Sequence, residues 1–125
     1  MNRKKILLVD DADTILMMEK MILGKGGFDL IIAKDGQEAV TKAVSEKPDL
    51  ILMDVNMPKM NGFEACQKIR AHEATKLIPI IMVTTRGEME SRESGFENGC
   101  NDYVTKPING LELMSKVKTY LVDLK

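Results

Sequence analysis

The sequence predicts an α/β domain of five βα units built on a parallel sheet, and three observations carry that reading. Clusters rich in Val, Ile and Leu recur at Lys5–Asp10, Phe28–Ala33, Leu50–Asp54, Pro79–Thr84 and Asp102–Thr105, their starts 23, 22, 29 and 23 residues apart. The first four hold continuous apolar runs rather than alternating ones, the pattern of strands buried on both faces. Between them lie segments with helical spacing of apolar residues. Such regular alternation implies right-handed crossovers on a parallel sheet.

Each helix has its own signals. Asp13 to Leu23 runs into Gly24-Lys-Gly-Gly, punctuation that ends helices. Seven of the nine residues from Ile15 to Leu23 are apolar, more than one buried face requires, so part of this helix is expected to face water. Gln37 to Glu46 places Ala39, Val40, Ala43 and Val44 on one face, with Pro48 beyond it. Asn61 to about His72 has Asn61 as its N-cap. Glu88 to Asn98 is weaker: Met89 and Phe96 are its large apolar residues, and Gly95 costs about 1 kcal/mol relative to Ala. The last helix, Asn109 to Leu124, shows Leu113, Val117, Tyr120, Leu121 and Leu124.

A length of 125 residues suits one domain, and 44% hydrophobic content is enough for a core. With 18 Lys+Arg against 19 Asp+Glu the net charge is −1 and no basic block stands out, which argues against nucleic acid as a direct ligand. Apolar runs stop at four residues, as in Ile6–Val9, whereas a membrane span needs roughly 18 and a signal-peptide core ~7–15. A cytoplasmic protein is expected. Cys66 and Cys100 lie 34 positions apart in no metal-binding pattern, with His72 as the single histidine. They read as small buried hydrophobes in a reducing compartment. His72 itself reads as solvent-facing. The ten methionines read mostly as core filler.

In parallel sheets, ligands bind outside the carboxyl ends of the strands, near the switch in strand order. Those ends carry Asp10-Asp11, Asp54, Thr84-Thr85 and Lys106. Three carboxylates brought together repel one another, and repulsion raises pKa values unless a cation intervenes. Mg²⁺, which favours carboxylate, carbonyl and water oxygens, resolves this. Its +2 and the +1 of Lys106 balance the −3 of Asp10, Asp11 and Asp54. A metal, a lysine and a hydroxyl together equip a site to handle a phosphoryl group. Neither GxxxxGK[ST] nor GxGxxG is present, so the group must come from a small or protein donor rather than a cradled nucleotide, with a carboxylate as acceptor.

The segments ILLVDD (Ile6–Asp11), LILMDVNMPKMNGFE (Leu50–Glu64), IIMVTT (Ile80–Thr85) and GCNDYVTKP (Gly99–Pro107) resemble the receiver domain of two-component response regulators, over essentially the whole chain, 1–125. The resemblance implies a doubly wound, flavodoxin-like fold with strand order 2-1-3-4-5. It makes Asp54 the phosphoacceptor, charged by a phosphohistidine on a sensor histidine kinase or histidine phosphotransfer protein. Asp11 and Asp54 would ligate Mg²⁺ directly, Asp10 mostly through water, and Asn56 through its backbone carbonyl. Lys106 would contact the phosphoryl oxygens, Thr84 would turn its hydroxyl onto them, and Tyr103 would rotate inward behind it. Lys106-Pro107 would be a cis peptide. Ile15, Met18, Met21 or Ile22, with Pro107 and Ile108, would dock the phosphodonor. The surface of the fourth predicted helix, strand five and the last helix would bind a downstream protein effector. The domain would assist only its own phosphorylation and dephosphorylation.

Two features depart from the family's habit: Thr85 and Cys100 stand where Ala is common. An aspartate-nucleophile phosphatase of the haloacid-dehalogenase type uses similar residues, but it needs a second Asp as general acid where Asn56 stands, and a cap insertion. A flavodoxin-like cofactor carrier needs a phosphate loop where Asp10-Asp11 would repel phosphate.

Overall fold

The computed structural model describes residues 3–85 and 99–121. The helix predicted at 88–98 lies outside them. The elements run β1 (Lys5–Val9), α1 (Asp13–Gly24), β2 (Asp29–Ala33), α2 (Gly36–Glu46), β3 (Leu50–Asp54), α3 (Gly62–Ala71), β4 (Ile80–Thr84), β5 (Asp102–Thr105) and α4 (Gly110–Leu121). All strand pairs are parallel, in the order β2-β1-β3-β4-β5.

The apolar runs explain the two-sided core. Alternate residues of each strand point to opposite faces. Leu7, Val9, Ile51, Met53, Ile80 and Met82 meet Ala39, Val40 and Ala43 of α2 and Ala65, Cys66 and Ile69 of α3. Ile6, Leu8, Leu50, Leu52, Ile81 and Val83 meet Leu16 and Leu23 of α1 and Leu113 and Val117 of α4. The expectation of burial on both faces fails for β2, whose Leu30, Ile31 and Ile32 are half-buried. Its place at the sheet edge leaves it one neighbouring strand instead of two. The methionines also divide differently from expectation. Met53 and Met82 fill the core, whereas Met17, Met18 and Met21 are exposed on α1. Cys66 and Cys100 are buried and form no disulfide, and His72 is exposed at the C-cap of α3.

α2, α3 and α4 each start one residue inside a capping side chain, whereas α1 follows Ala12, whose side chain cannot cap. Asp35 caps α2 by accepting from the Glu38 N–H at 2.7 Å. Asn109 accepts from the Glu112 N–H at 3.0 Å, so α4 begins at Gly110. At α3, Asn61 accepts from the Glu64 N–H at 2.9 Å, and the Asn61 N–H donates back to Glu64 Oε1 at 3.0 Å. This reciprocal box satisfies two otherwise orphaned amides. Asn61→Ala is expected to lower stability by about 1 kcal/mol. In urea denaturation the midpoint should fall with the slope unchanged, and an unchanged midpoint would show that the box contributes nothing.

Candidate phosphoacceptor and metal site

Parallel pairing brings the carboxyl ends of the strands to one edge, where β1 has β2 on one side and β3 on the other. This is the switch in strand order where open α/β sheets bind ligands. Asp10 leaves β1 with its N–H on the Ala33 carbonyl at 3.1 Å, and Asp54 ends β3 in register with Val83. Lys106 follows β5, its N–H on the Thr84 carbonyl at 2.7 Å. Backbone ladders therefore deliver the side chains, and side-chain contacts arrange them.

Asp10 and Asp54 are buried, at 1% and 3% exposed, and Asp11 is exposed. One carboxylate oxygen from each lies within 4.8 Å of the others. The Lys106 ammonium donates to Asp54 Oδ1 at 2.8 Å and stands 3.6 Å from Asp10 Oδ2. The Ala12 N–H donates to Asp10 Oδ1 at 2.9 Å, while the buried Asp10 Oδ2 has no hydrogen bond among the described residues. Burial pushes the Asp10 carboxyl upward, aided by the charge of Asp11 and opposed by the Ala12 N–H and Lys106. Two buried carboxylates and one exposed, with a buried oxygen lacking a hydrogen bond, fit a hard divalent cation such as Mg²⁺.

The other predicted residues lie on β4, β5, α1 and the loops that follow β3 and β5. Thr84 is fully buried at the end of β4, its hydroxyl donating to the Thr85 carbonyl at 3.2 Å. Tyr103 is buried at 6% exposure, in the core cluster that holds Met82 and Cys100. Asn56 is exposed, two residues past Asp54, and the Lys106–Pro107 peptide is cis. The loop 55–61 closes with the Gly62 N–H on the Val55 carbonyl at 2.8 Å. A Cβ on Gly62 would run into the Asp54 carbonyl oxygen and lie 2.8 Å from Met82 Cε, so only glycine lets α3 start this close to Asp54. On α1, Met18 and Met21 are exposed and Ile15 and Ile22 half-buried. Pro107 is exposed and Ile108 half-buried.

Sequence reasoning missed several residues. Met17, at 63% exposure, belongs to the same exposed face of α1. Leu111, at 86%, lines with Ile22, Lys25, Asn109, Gly110 and Met114 an open groove of about 410 Å³ between α1 and α4. The most consequential omission is Glu19. It is 1% exposed, and its Oε1 makes no hydrogen bond among the described residues. Burial, then the charges of Asp10 and Asp54, push its carboxyl up to about 8, against the pull of Lys106. The signal was present: Glu19 follows Leu16 by three and precedes Leu23 by four, which puts it on the buried stripe.

Residues 6–118 match the family described as the response regulator receiver domain. The chain is 42% identical over 118 residues to the alkaline phosphatase synthesis transcriptional regulatory protein PhoP of Bacillus subtilis, covering 94% of this chain and 48% of that protein. It thus spans about half the length of the curated relatives it matches. Among solved structures, a putative response regulator from Chloroflexus aurantiacus superposes with a TM-score of 0.91 at 36% identity, covering 96% and 98% of the two chains. The receiver domain of a sensor histidine kinase from Pseudomonas aeruginosa, solved with magnesium coordinated in its active-site cleft, gives 0.88 at 32% identity, covering 96% and 98%. With a family match over nearly the whole length and the acidic cluster, lysine and hydroxyl gathered at the switch point, the chain belongs to the receiver domains of two-component response regulators.

Proposed function

We propose that the chain is one receiver unit, residues 1–125, that switches a signalling output when Asp54 accepts a phosphoryl group from a phosphohistidine of a sensor histidine kinase or histidine phosphotransfer protein. The observation that carries this reading is the 2.8 Å contact of Lys106 with Asp54 beside two further carboxylates. An Asp54 carboxylate oxygen forms a bond to phosphorus as the phosphorus–nitrogen bond of the donor breaks. The electron pair returns to the imidazole, which takes up a proton. Lys106 follows the negative charge onto the phosphoryl oxygens. Asp11, Asp54, the Asn56 carbonyl and, through water, Asp10 would hold Mg²⁺, which would supply two positive charges against those oxygens.

Phosphorylation replaces a charge of −1 by about −2 at the mouth of β3. That change draws the Thr84 hydroxyl inward, and Tyr103 packs behind it. The bias is a population shift between two packings. The donor docks on Ile15, Met18, Met21 and Ile22 with Pro107 and Ile108, and the exposed Met17 and Leu111 extend that surface. The output face includes β5 and α4; residues 88–98, which the sequence reading adds to it, lie outside the described residues. Its partner is a protein effector, or a further domain of a longer regulator, since PhoP is a transcriptional regulator of twice this length. The unit turns over no external substrate, contacts no nucleic acid itself and works in the cytoplasm. Among the described residues no helix is long and apolar enough to cross a membrane.

Incubation with phosphoramidate tests the site. Incorporation is expected with Mg²⁺, to fall at least ~100-fold in EDTA, and to map by mass spectrometry to Asp54. Undiminished incorporation in EDTA, or a phosphate on another residue, would overturn the assignment.

A further inference from the structure

Gly36 opens α2, an element that contributes no side chain to the site. Its backbone is helical and does not call for glycine, and alanine is the better helix former by up to about 1 kcal/mol. What requires glycine is a neighbour. A Cβ on Gly36 would collide with the Met60 carbonyl oxygen and lie 2.8 Å from Met60 Cβ and 3.0 Å from the Met60 carbonyl carbon. Met60 belongs to the loop 55–61, which carries Asn56 directly beyond Asp54. The same junction is reinforced one residue earlier, where Lys59, in the left-handed region at φ 69°, reaches the α2 cap Asp35 at 3.6 Å.

If Gly36 gained a methyl group, either α2 or the loop would have to move. α2 is anchored in the core through Ala39, Val40 and Ala43, at 0%, 9% and 0% exposure. The loop exposes Asn56, Pro58 and Lys59, and its Met57 and Met60 are only partly buried against the core, so it is held less deeply than α2. The loop therefore yields, and with it the backbone carbonyl of Asn56.

We propose that Gly36 is a positioning residue: by letting Met60 rest against the first turn of α2, it holds the loop 55–61 where Asn56 and Asp54 together bind Mg²⁺. The inference rests on the metal role proposed above. Residues that orient metal ligands from outside typically matter by 10–100-fold in affinity.

The test is the Mg²⁺ affinity of Gly36→Ala, read from the Asp54 and Asn56 amide resonances in ¹H–¹⁵N NMR, with urea denaturation as the check on folding. The dissociation constant is expected to rise about tenfold. The phosphorylation rate from phosphoramidate should fall at low Mg²⁺ and recover at saturating Mg²⁺. A role in stability alone would lower the urea midpoint and leave the dissociation constant in place, and that result would overturn the proposal. In the wild type, the Gly36 amide should titrate with the same midpoint as that of Asp54. A stationary Gly36 amide would overturn the proposal even if Gly36→Ala does not fold. Should the wild type show no Mg²⁺ binding at Asp54, the metal reading itself fails. Binding at Asp54 with equal constants in the folded variant would sink only the role of Gly36.

Discussion

Glu19→Leu is expected to stabilise the protein by at least ~2 kcal/mol at pH 8 and by little at pH 4. Glu19 is 1% exposed and without a hydrogen bond at Oε1, facing Asp10, Asp54 and Lys106. Its carboxyl stays protonated in the folded chain to about pH 8, against an ordinary value of 4.5. The unfolded chain therefore releases this proton near pH 4.5 and the folded chain only near 8. Between those values the folded state binds more protons, so this group's contribution to stability falls as pH rises and levels off above 8. At 1.36 kcal/mol per unit the ceiling is about 5 kcal/mol, and relaxation of the surroundings brings the realised figure lower. Leucine has similar volume and no polar atoms to strand, so overpacking is not the controlling term. Glu19→Gln, which cannot ionise but still buries an amide, should flatten the pH profile with a smaller gain. Urea denaturation from pH 4 to 9 reads all three proteins. Parallel profiles for wild type and Glu19→Leu would mean that Glu19 is charged and solvated in the folded state.

Asp54→Asn is expected to eliminate phosphoryl incorporation, a loss of at least ~1,000-fold, because an amide offers no carboxylate nucleophile. The amide oxygen can still accept from Lys106, so the 2.8 Å contact has a neutral counterpart. Removing one of three clustered negative charges also relieves repulsion with Asp10 and Asp11. The urea midpoint should therefore not fall. Loss of labelling together with loss of folding would leave a structural role for Asp54, whereas labelling at the wild-type rate would place the acceptor elsewhere. Phosphate-affinity electrophoresis after phosphoramidate treatment distinguishes these outcomes.

Much of this was legible in one dimension. Strand ends are readable because parallel strands buried on both faces read as apolar runs, so the polar residues that follow them fall at the carboxyl edge of the sheet. That logic located Asp10, Asp11, Asp54, Thr84 and Lys106 before any coordinates. The cap Asn61 was equally visible, since capping is a local interaction over three residues. Glu19 was overlooked because an acid at a helical core position resembles an acid on a solvated face unless the stripe is traced explicitly.

The βα alternation, the residues at the carboxyl edge and an α1 too apolar to bury completely follow from periods of two and 3.6 and from local punctuation. Tertiary packing set the rest. It placed β2 at an edge, half-burying a run that reads like the others. It selected Met17, Met18 and Met21 rather than Leu16 and Leu23 as the face of α1 toward water. It also brought Gly36 against Met60, 24 residues away, and Lys106 within 2.8 Å of Asp54, 52 residues away. Contacts at such separations arise from how layers stack and which strands become neighbours, and a local period carries no information about either.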